Sequence, residues 1–268
     1  MEPAIARGQS GGIGVLQADF VCADRQDPQK NALKPHLNKT WCIGTINAQF
    51  IAHLERLLSL YALPYDPLSP VVCFDERPCF LIGDAIAPLP FRSGHVRKEH
   101  YAYEKNGACA LLAAIEPLTG KRLAQVHAHR TKKEYTEFCQ AIAAAWPGAK
   151  KIRLVQDNLN THTRSAFYDH LPAAEAFALA ERFEFYYTPK SASWLNMIEI
   201  EFSALVRECL HRRIPTIEQL TKEVLALVNE RQQKQIKIHW QFSLEAARDK
   251  LNRHYERVFA ANAQYKKT

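Results

Sequence analysis

The chain has 268 residues, of which 47% are hydrophobic and 24% charged, a composition that excludes disordered and collagen-like proteins and permits a packed core. Its length suits one large domain or two small ones, since domains usually run to about 100–200 residues. Lys and Arg total 35 against 28 acidic residues, which gives a net charge of +7. This basic balance favours a polyanionic partner, nucleic acid before a membrane, although an ordinary basic enzyme would carry the same charge.

The seven cysteines are scattered along the chain without a C-x-x-C pair. Their odd number and irregular spacing argue against a disulfide framework and against a structural zinc site. No charged-then-apolar signal segment opens the chain, and no run of about 18 apolar residues is present. We therefore expect a cytoplasmic protein with reduced thiols and no membrane association.

The first quarter of the chain divides into two predicted segments. Residues 1–30 contain Gly and Gln with little hydrophobic periodicity, and we predict a poorly ordered lead-in. Residues 31–65 predict a helical N-terminal extension, because apolar residues recur at helical spacing over residues 47–63. The turn-rich segment 64–70 ends that helix. The remaining residues, 66–260, form the predicted main domain.

Strands and helices alternate in the main domain. Gly120 lies between two apolar runs and predicts a hairpin turn, and Thr216 after Pro215 predicts a helix N-cap. This order of elements is typical of an α/β fold with a mixed sheet flanked by helices. In chain order, the predicted elements are a short strand (71–74), an irregular arm (76–100), a hairpin (108–115 and 122–126), a helix (132–145), a strand (151–156), a helical stretch followed by a strand (184–187), and three helices (194–212, 216–232 and 243–257).

Two aspartates stand where predicted strands end: Asp75 closes the strand 71–74, and Asp157 closes the strand 151–156. If these strands are neighbours, both carboxylates lie at the carboxyl edge of one sheet, where α/β proteins bind ligands. Hard divalent cations prefer carboxylate oxygens, and two ions about 4 Å apart hold the attacking and leaving oxygens of a phosphoryl transfer. Taken singly, each aspartate has a simpler interpretation as a turn or helix-cap residue.

A third acid comes from the predicted helix 194–212, where Glu199 and Glu201 compete. At about 100° per residue, Glu201 projects towards the side that carries Glu208 and Arg212, which predicts a solvated ion pair. Glu199 projects to the other flank, beside the apolar stripe of the helix, where a carboxylate faces a sheet edge. We therefore prefer Glu199 as the third acid. The alternative for either residue is a surface glutamate on an amphipathic helix.

Several motifs resemble those of a known family. The chain resembles bacterial insertion-sequence transposases of the six-thirty family, relatives of the mariner group, whose DDE domain has a ribonuclease H-like (retroviral-integrase-like) fold. DNLNTH together with SWLN..E is a specific pair of motifs, whereas CFDE alone is weak. The resemblance makes residues 66–260 the expected DDE catalytic domain. The motifs are CFDE (73–76), YEKNG (103–107), DNLNTH (157–162), YTPK (187–190), SWLNMIEIEFS (193–203) and WQFSLEAARDKL (240–251).

The resemblance implies that the Asp of CFDE, the first Asp of DNLNTH and the Glu of SWLN..E bind the catalytic metal ions. These residues are Asp75, Asp157 and Glu199. The implied cofactor is Mg²⁺, with Mn²⁺ as the alternative. The implied reaction is hydrolysis at transposon ends, followed by attack of the freed 3′-hydroxyl on target DNA. DNA is therefore the implied partner, and the mariner group implies a homodimer on DNA.

The chain departs from the family pattern in two places. Ser191 and Ala192 replace the His and Gly that usually precede SWLN. The helix-turn-helix modules that precede the core in family members have no counterpart in residues 1–30, so we expect a truncated chain. The active transposase therefore has two rivals: a non-catalytic remnant that binds DNA or partner subunits, and another ribonuclease H-like nuclease that cuts RNA–DNA hybrids.

Four polar residues near the predicted acids are candidates for nucleic-acid contacts: Asn158, His162, Arg164 and Lys190. Phosphate contacts by such residues predict binding that weakens steeply with salt. For Asn158 and His162 an alternative is equally open, namely that they brace the loop that carries Asp157.

Overall fold

The computed structural model describes residues 45–89 and 98–265. The predicted lead-in, residues 1–30, lies outside the described residues, as do the first part of the predicted helical extension and part of the predicted arm. The described elements are α1 (Ala48–Tyr61), β1 (Val71–Asp84), β2 (Tyr103–Glu116), β3 (Lys121–His127), α2 (Lys132–Ala145), β4 (Ile152–Gln156), α3 (Ser165–His170), α4 (Ala173–Glu181), β5 (Phe183–Tyr187), α5 (Ile198–Leu205), α6 (Ile217–Gln233), α7 (Leu244–Lys250) and α8 (Asn252–Val258).

The five strands of the described residues form one mixed sheet in the order β3-β2-β1-β4-β5. β1 and β3 run antiparallel to β2, whereas β1, β4 and β5 run parallel to one another. Gly120, at φ +80°, occupies the turn between β2 and β3. The predictions of a mixed sheet and of a hairpin with Gly120 in its turn are confirmed.

Helices cover both faces of the sheet because side chains of successive strand residues point to opposite sides. Val72 and Phe74 of β1 pack into one buried cluster with residues of α2, α3 and α4. Cys73 packs into a second cluster, which contains residues of α1, α5 and α6. The sheet is therefore the middle layer of three, and each face is buried under its own set of helices.

Helix α1 belongs to the second buried cluster. Asn47 caps its first turn by accepting a hydrogen bond from the Phe50 backbone N–H, as expected of an N-cap asparagine. Leu54 and Leu57 are fully or almost fully buried in the same core as the residues of α5. The helix thus packs on the sheet domain, while the domain boundaries at residues 30 and 65 stay predictions.

The strand β1 is longer than predicted, and the prediction of an irregular arm is wrong for residues 76–84. Pairing of β1 with β4 ends at Cys73, but pairing with β2 continues to Asp84. Beyond Cys73 one side of β1 is therefore an open edge, which explains why Pro78 is tolerated within the strand. Asp75 consequently lies inside β1 and does not close it.

The C-terminal helices are more broken than the apolar periodicity predicts. The predicted helix 194–212 consists of a 3₁₀ turn (Ser193–Leu195), α5 and a π-helical turn (Val206–Leu210). The predicted helix 243–257 divides into α7 and α8 at Leu251. Thr216 does cap α6, since its side chain accepts a hydrogen bond from the Gln219 backbone N–H. No helix among the described residues combines the length and apolar character needed to cross a membrane.

Candidate active site

The two predicted aspartates lie side by side at the carboxyl edge of the parallel strands. The last paired residues of β1 and β4 are Cys73 and Val155. Asp75 and Asp157 each follow two residues later, so both are at the same level of the sheet. β4 ends at Gln156, and Asp157 begins the loop after it. The prediction that these strands are neighbours is confirmed, although only Asp157 stands at a strand end.

Asp75 is half-buried among like charges. Burial raises the pKa of Asp75 to about 7. The backbone N–H of Glu76 donates to Asp75 Oδ1 at 2.7 Å and opposes this shift, while the charges of Asp157 and Glu199 increase it. Both other predicted acids thus act electrostatically on the carboxyl group of Asp75.

Glu199 lies on α5, which is tied to the strand that carries Asp75. The Asn196 side chain donates from Nδ2 to the Phe74 carbonyl at 2.8 Å, immediately before Asp75. Burial raises the pKa of Glu199, against the opposing charge of Arg77 and a hydrogen bond from Ser193. Because burial makes the charged form of this half-buried carboxylate unfavourable, a neighbouring cation would stabilise it.

The prediction that Glu201 forms a solvated pair beside Glu208 and Arg212 is wrong. Glu201 is 4% exposed, and both of its carboxylate oxygens accept hydrogen bonds from Arg122 and Arg231. Arg122 is remote in sequence, so helical periodicity has no information about it. Because its two oxygens are occupied, Glu201 has no free carboxylate oxygen to offer a metal ion.

His162 is fully buried, and this corrects the expectation that it contacts nucleic acid. Its Nδ1 bonds to the Asp157 carboxylate, and its Nε2 lies 3.1 Å from Glu76 Oε1. Burial opposes a charge on this ring, but the hydrogen bonds and charges of Asp157 and Glu76 outweigh burial and raise the pKa of His162 to about 9. In line with the alternative interpretation, His162 bridges the Asp157 loop to Glu76 of β1.

The other three candidates for nucleic-acid contacts are exposed. Asn158 and Lys190 reach solvent on the loops after β4 and β5, and the Arg164 guanidinium stacks 5.5 Å above the Phe185 ring. Asn158 also lines an open cleft of about 300 Å³ beside the acids. Sequence reasoning missed one lining residue of this cleft, Glu76, for which the only signal was the Glu of the CFDE motif. Contacts of these side chains with DNA stay a prediction.

The donor chemistry of the site fits a hard divalent cation, although the ligands are not gathered. Carboxylate oxygens are the ligands that Mg²⁺ and Mn²⁺ prefer, and a cation would relieve the repulsion that acts on Asp75. In the part of the chain that the structure describes, no three His, Cys, Asp or Glu side chains are arranged to hold one ion. The Asp157 carboxylate is instead directed to His162.

Ser191 has a left-handed backbone, with φ +60°, in the loop that leads to Glu199. A non-glycine residue in this region is strained, because its Cβ approaches the following carbonyl oxygen. Relief of this strain, roughly 1–2 kcal/mol, outweighs the larger unfolded-state entropy of glycine, so we expect Ser191→Gly to stabilise the protein by about 0.5 kcal/mol. Urea unfolding of the two proteins measures the difference, with Ser193→Gly in the neighbouring 3₁₀ turn as the control that should not stabilise. A loss of stability in Ser191→Gly would contradict the strain.

Solved structures with a similar fold are complexes of Mos1 transposase. A Mos1 strand transfer complex has a TM-score of 0.50 and 13% identity, over 87% of this chain and 68% of that chain. A paired-end complex with the left transposon end gives 0.46 and 13%, over 87% and 69%. A paired-end complex with Mn gives 0.44 and 13%, over 77% and 70%. No curated protein sequence matches the chain.

The mixed five-stranded sheet, flanked by helices and with acids at the carboxyl edge of its parallel strands, has the ribonuclease H-like architecture of the Mos1 catalytic domain. The predicted fold class is thus confirmed. Residues 70–221 match the family model of the DDE superfamily endonucleases, and the chain belongs to that family. The narrower resemblance to the bacterial six-thirty family stays a prediction.

Proposed function

We propose that this chain is the catalytic core of a DNA transposase, which hydrolyses phosphodiesters at transposon ends and joins the freed 3′-hydroxyl to target DNA. The observation that carries the proposal is the placement of Asp75 and Asp157 at one level of the sheet edge, with the charge of Glu199 acting on Asp75. Membership of the DDE endonuclease family supports the hydrolytic step. The fold shared with a Mos1 strand transfer complex is compatible with the joining step.

In this proposal Asp75, Asp157 and Glu199 are the metal ligands, with Mg²⁺ as the expected ion and Mn²⁺ as the alternative. When bound, the ions stabilise the charge that develops on the attacking and leaving oxygens of the phosphodiester. The surrounding residues of the chain hold these ligands in place. β1 and β4 hold the two aspartates at the same level, and His162 restrains the Asp157 loop through its contact with Glu76.

DNA is the proposed partner. The net charge of +7 and the exposed side chains of Asn158, Arg164 and Lys190 near the acids support contacts with phosphates. Binding that depends on such contacts should weaken steeply as salt is added. We extend the proposal to a homodimer on DNA, by analogy with the mariner group. A cytoplasmic location is supported by the cysteines of the described residues, which are free thiols.

The decisive experiment is a nicking assay on DNA that carries the inverted repeats flanking the gene for this chain. We expect nicks at the repeat ends with Mg²⁺, none with EDTA, and none with Asp157→Asn. Joining of the freed 3′ ends to a second DNA then tests strand transfer. DNA binding without any cut would identify a non-catalytic remnant, and cleavage of RNA–DNA hybrids without end joining would identify a different ribonuclease H-like nuclease.

A further inference from the structure

A buried cluster of three charged residues lies behind the helix that carries Glu199. It consists of Glu201 on α5, Arg122 on β3 and Arg231 on α6, and is called the Glu201 cluster below. The Glu201 and Arg122 side chains are 5% and 2% exposed, and Arg231 is 11% exposed. A charge this deeply buried is retained only when it is fully paired, so the geometry of the cluster is closely constrained.

Both arginines bind the Glu201 carboxylate as planar forks. Arg122 donates from Nε at 2.9 Å and from Nη2 at 2.8 Å, and Arg231 donates from Nε and Nη2 at 3.0 Å each. Two bidentate pairs on one carboxylate fix both the position and the rotation of that group, because each fork requires two parallel hydrogen bonds. Glu201, and the α5 backbone that carries it, are therefore held from two directions.

The arginine of β3 is itself held by backbone groups. Arg122 Nη2 donates to the Ile236 carbonyl at 2.6 Å, Nη1 donates to the Gly120 carbonyl, and the Arg122 backbone N–H donates to Gln232 Oε1 at 2.8 Å. These bonds join the β2–β3 turn to the end of α6. The Glu201 cluster is thus anchored to two elements that carry no predicted metal ligand.

The apolar face of helix α5 packs into the core through Ile198, Phe202 and Leu205, and a small set of polar contacts adds to this packing. The helix has eight residues, its first backbone N–H, that of Ile198, donates to Asn196 Oδ1 at 3.4 Å, and it continues directly into the π-helical turn. Two of its polar anchors are Asn196, which bonds to β1 immediately before Asp75, and Glu201. Glu199 lies between these anchors in sequence. At about 100° per residue, Glu199 points roughly opposite to Glu201, so any rotation allowed at Glu201 moves Glu199.

We propose that Glu201 is a positioning residue: the Glu201 cluster sets the rotation of α5 so that Glu199 is presented to Asp75 and Asp157. This inference rests on the proposed function, because it concerns the third ligand of the same site. Glu201 touches neither the ions nor the DNA in this role. It acts through the helix, as residues behind metal ligands commonly do.

The test compares Glu201→Gln with Glu55→Gln. Glu55 also accepts two hydrogen bonds from one arginine, Arg248, but it joins α1 to α7 and no predicted ligand lies on either helix. Both variants should melt at lower temperatures than the wild type. Mg²⁺ binding is then measured by calorimetry at a temperature where all proteins are folded. We expect Glu201→Gln to bind Mg²⁺ about 10-fold to 100-fold more weakly, and Glu55→Gln to bind as the wild type does.

Arg231→Lys provides a milder variant in case Glu201→Gln does not fold, because lysine keeps the charge but loses the fork. It should weaken Mg²⁺ binding by a smaller factor and raise the Mg²⁺ concentration for half-maximal nicking. Unchanged Mg²⁺ binding in the folded cluster variants, or equal weakening in Glu55→Gln, would restrict the Glu201 cluster to stability and overturn this inference alone. A wild-type protein that neither binds Mg²⁺ nor nicks DNA would overturn the proposed function with it.

Discussion

Replacing Asp75 with asparagine should abolish DNA cutting and at the same time stabilise the metal-free protein. In the proposed function Asp75 is a metal ligand, and the loss of such a ligand removes several kcal/mol of transition-state stabilisation, so we expect nicking to fall by about 10³-fold or more. The gain in stability follows from burial and from the charges of Asp157 and Glu199, which raise the pKa of Asp75 from 3.8 to about 7. A carboxylate in this position is destabilising, and a neutral amide of the same shape is not.

The sign of the pH dependence follows from the same shift. Below pH 3.8 Asp75 is neutral in both the folded and the unfolded protein, so it does not lower the free energy of unfolding. Between 3.8 and about 7 the unfolded chain ionises first, so the stability of the wild type falls relative to Asp75→Asn. Above about pH 7 the difference in unfolding free energy between Asp75→Asn and the wild type is constant, at up to about 4 kcal/mol.

Urea unfolding in EDTA at several pH values measures this difference, with Asp169→Asn as the control. The Lys132 ammonium beside Asp169 lowers the pKa of that carboxyl, so its replacement should not stabilise the protein. Added Mg²⁺ should stabilise the wild type and leave Asp75→Asn unchanged. If Asp75→Asn is less stable than the wild type in EDTA at pH 8, the raised pKa of Asp75 is contradicted, and with it the burial and repulsion that cause it.

Local sequence signals located Asp157 correctly but misplaced the end of the strand that holds Asp75. The run before Asp157 is buried on both faces, and its pairing with β1 ends at Val155 and with β5 at Gln156, immediately before Asp157. The run before Asp75 also loses its apolar character, but there only the pairing with β4 ends, while β2 continues beside it. Hydrophobic periodicity reflects burial. The part of β1 that pairs only with β2 extends beyond the rest of the sheet, so it lacks the apolar pattern that would predict a strand.

The helical geometry of α5 separated Glu199 from Glu201, but it did not predict what Glu201 binds. Along the sequence, only the partners one or two turns away on the same helix are visible, and Glu208 and Arg212 are such residues. The actual partners, Arg122 and Arg231, lie on β3 and α6 and meet Glu201 only in the tertiary fold. His162 shows the same limit, because it meets its partner Glu76 of β1 only in the tertiary fold. The assignment of Glu199 as a metal ligand stays a prediction.

The turn between β2 and β3 gives the second large prediction: Gly120→Ala should destabilise the protein by about 3 kcal/mol. Gly120 has φ +80°, a conformation that costs an alanine roughly 1–2 kcal/mol. In addition, a Cβ at this position would stand 2.8 Å from the Ile236 carbonyl oxygen. This oxygen belongs to the backbone and accepts a hydrogen bond from Arg122, so it cannot move away without disturbing the Glu201 cluster.

Two other glycines separate the contributions of strain and contact at Gly120. Gly107 has φ +119° but open space around the added Cβ, so Gly107→Ala should show only the cost of strain. Gly148 has neither a left-handed φ nor a close neighbour, so Gly148→Ala should be close to neutral. Urea unfolding of the three variants should therefore rank Gly120→Ala as the least stable. Equal losses of unfolding free energy in Gly120→Ala and Gly107→Ala would mean that residue 120 does not contact the Ile236 carbonyl closely. The hydrogen bond from Arg122 to that carbonyl would then constrain Arg122 less than its length indicates.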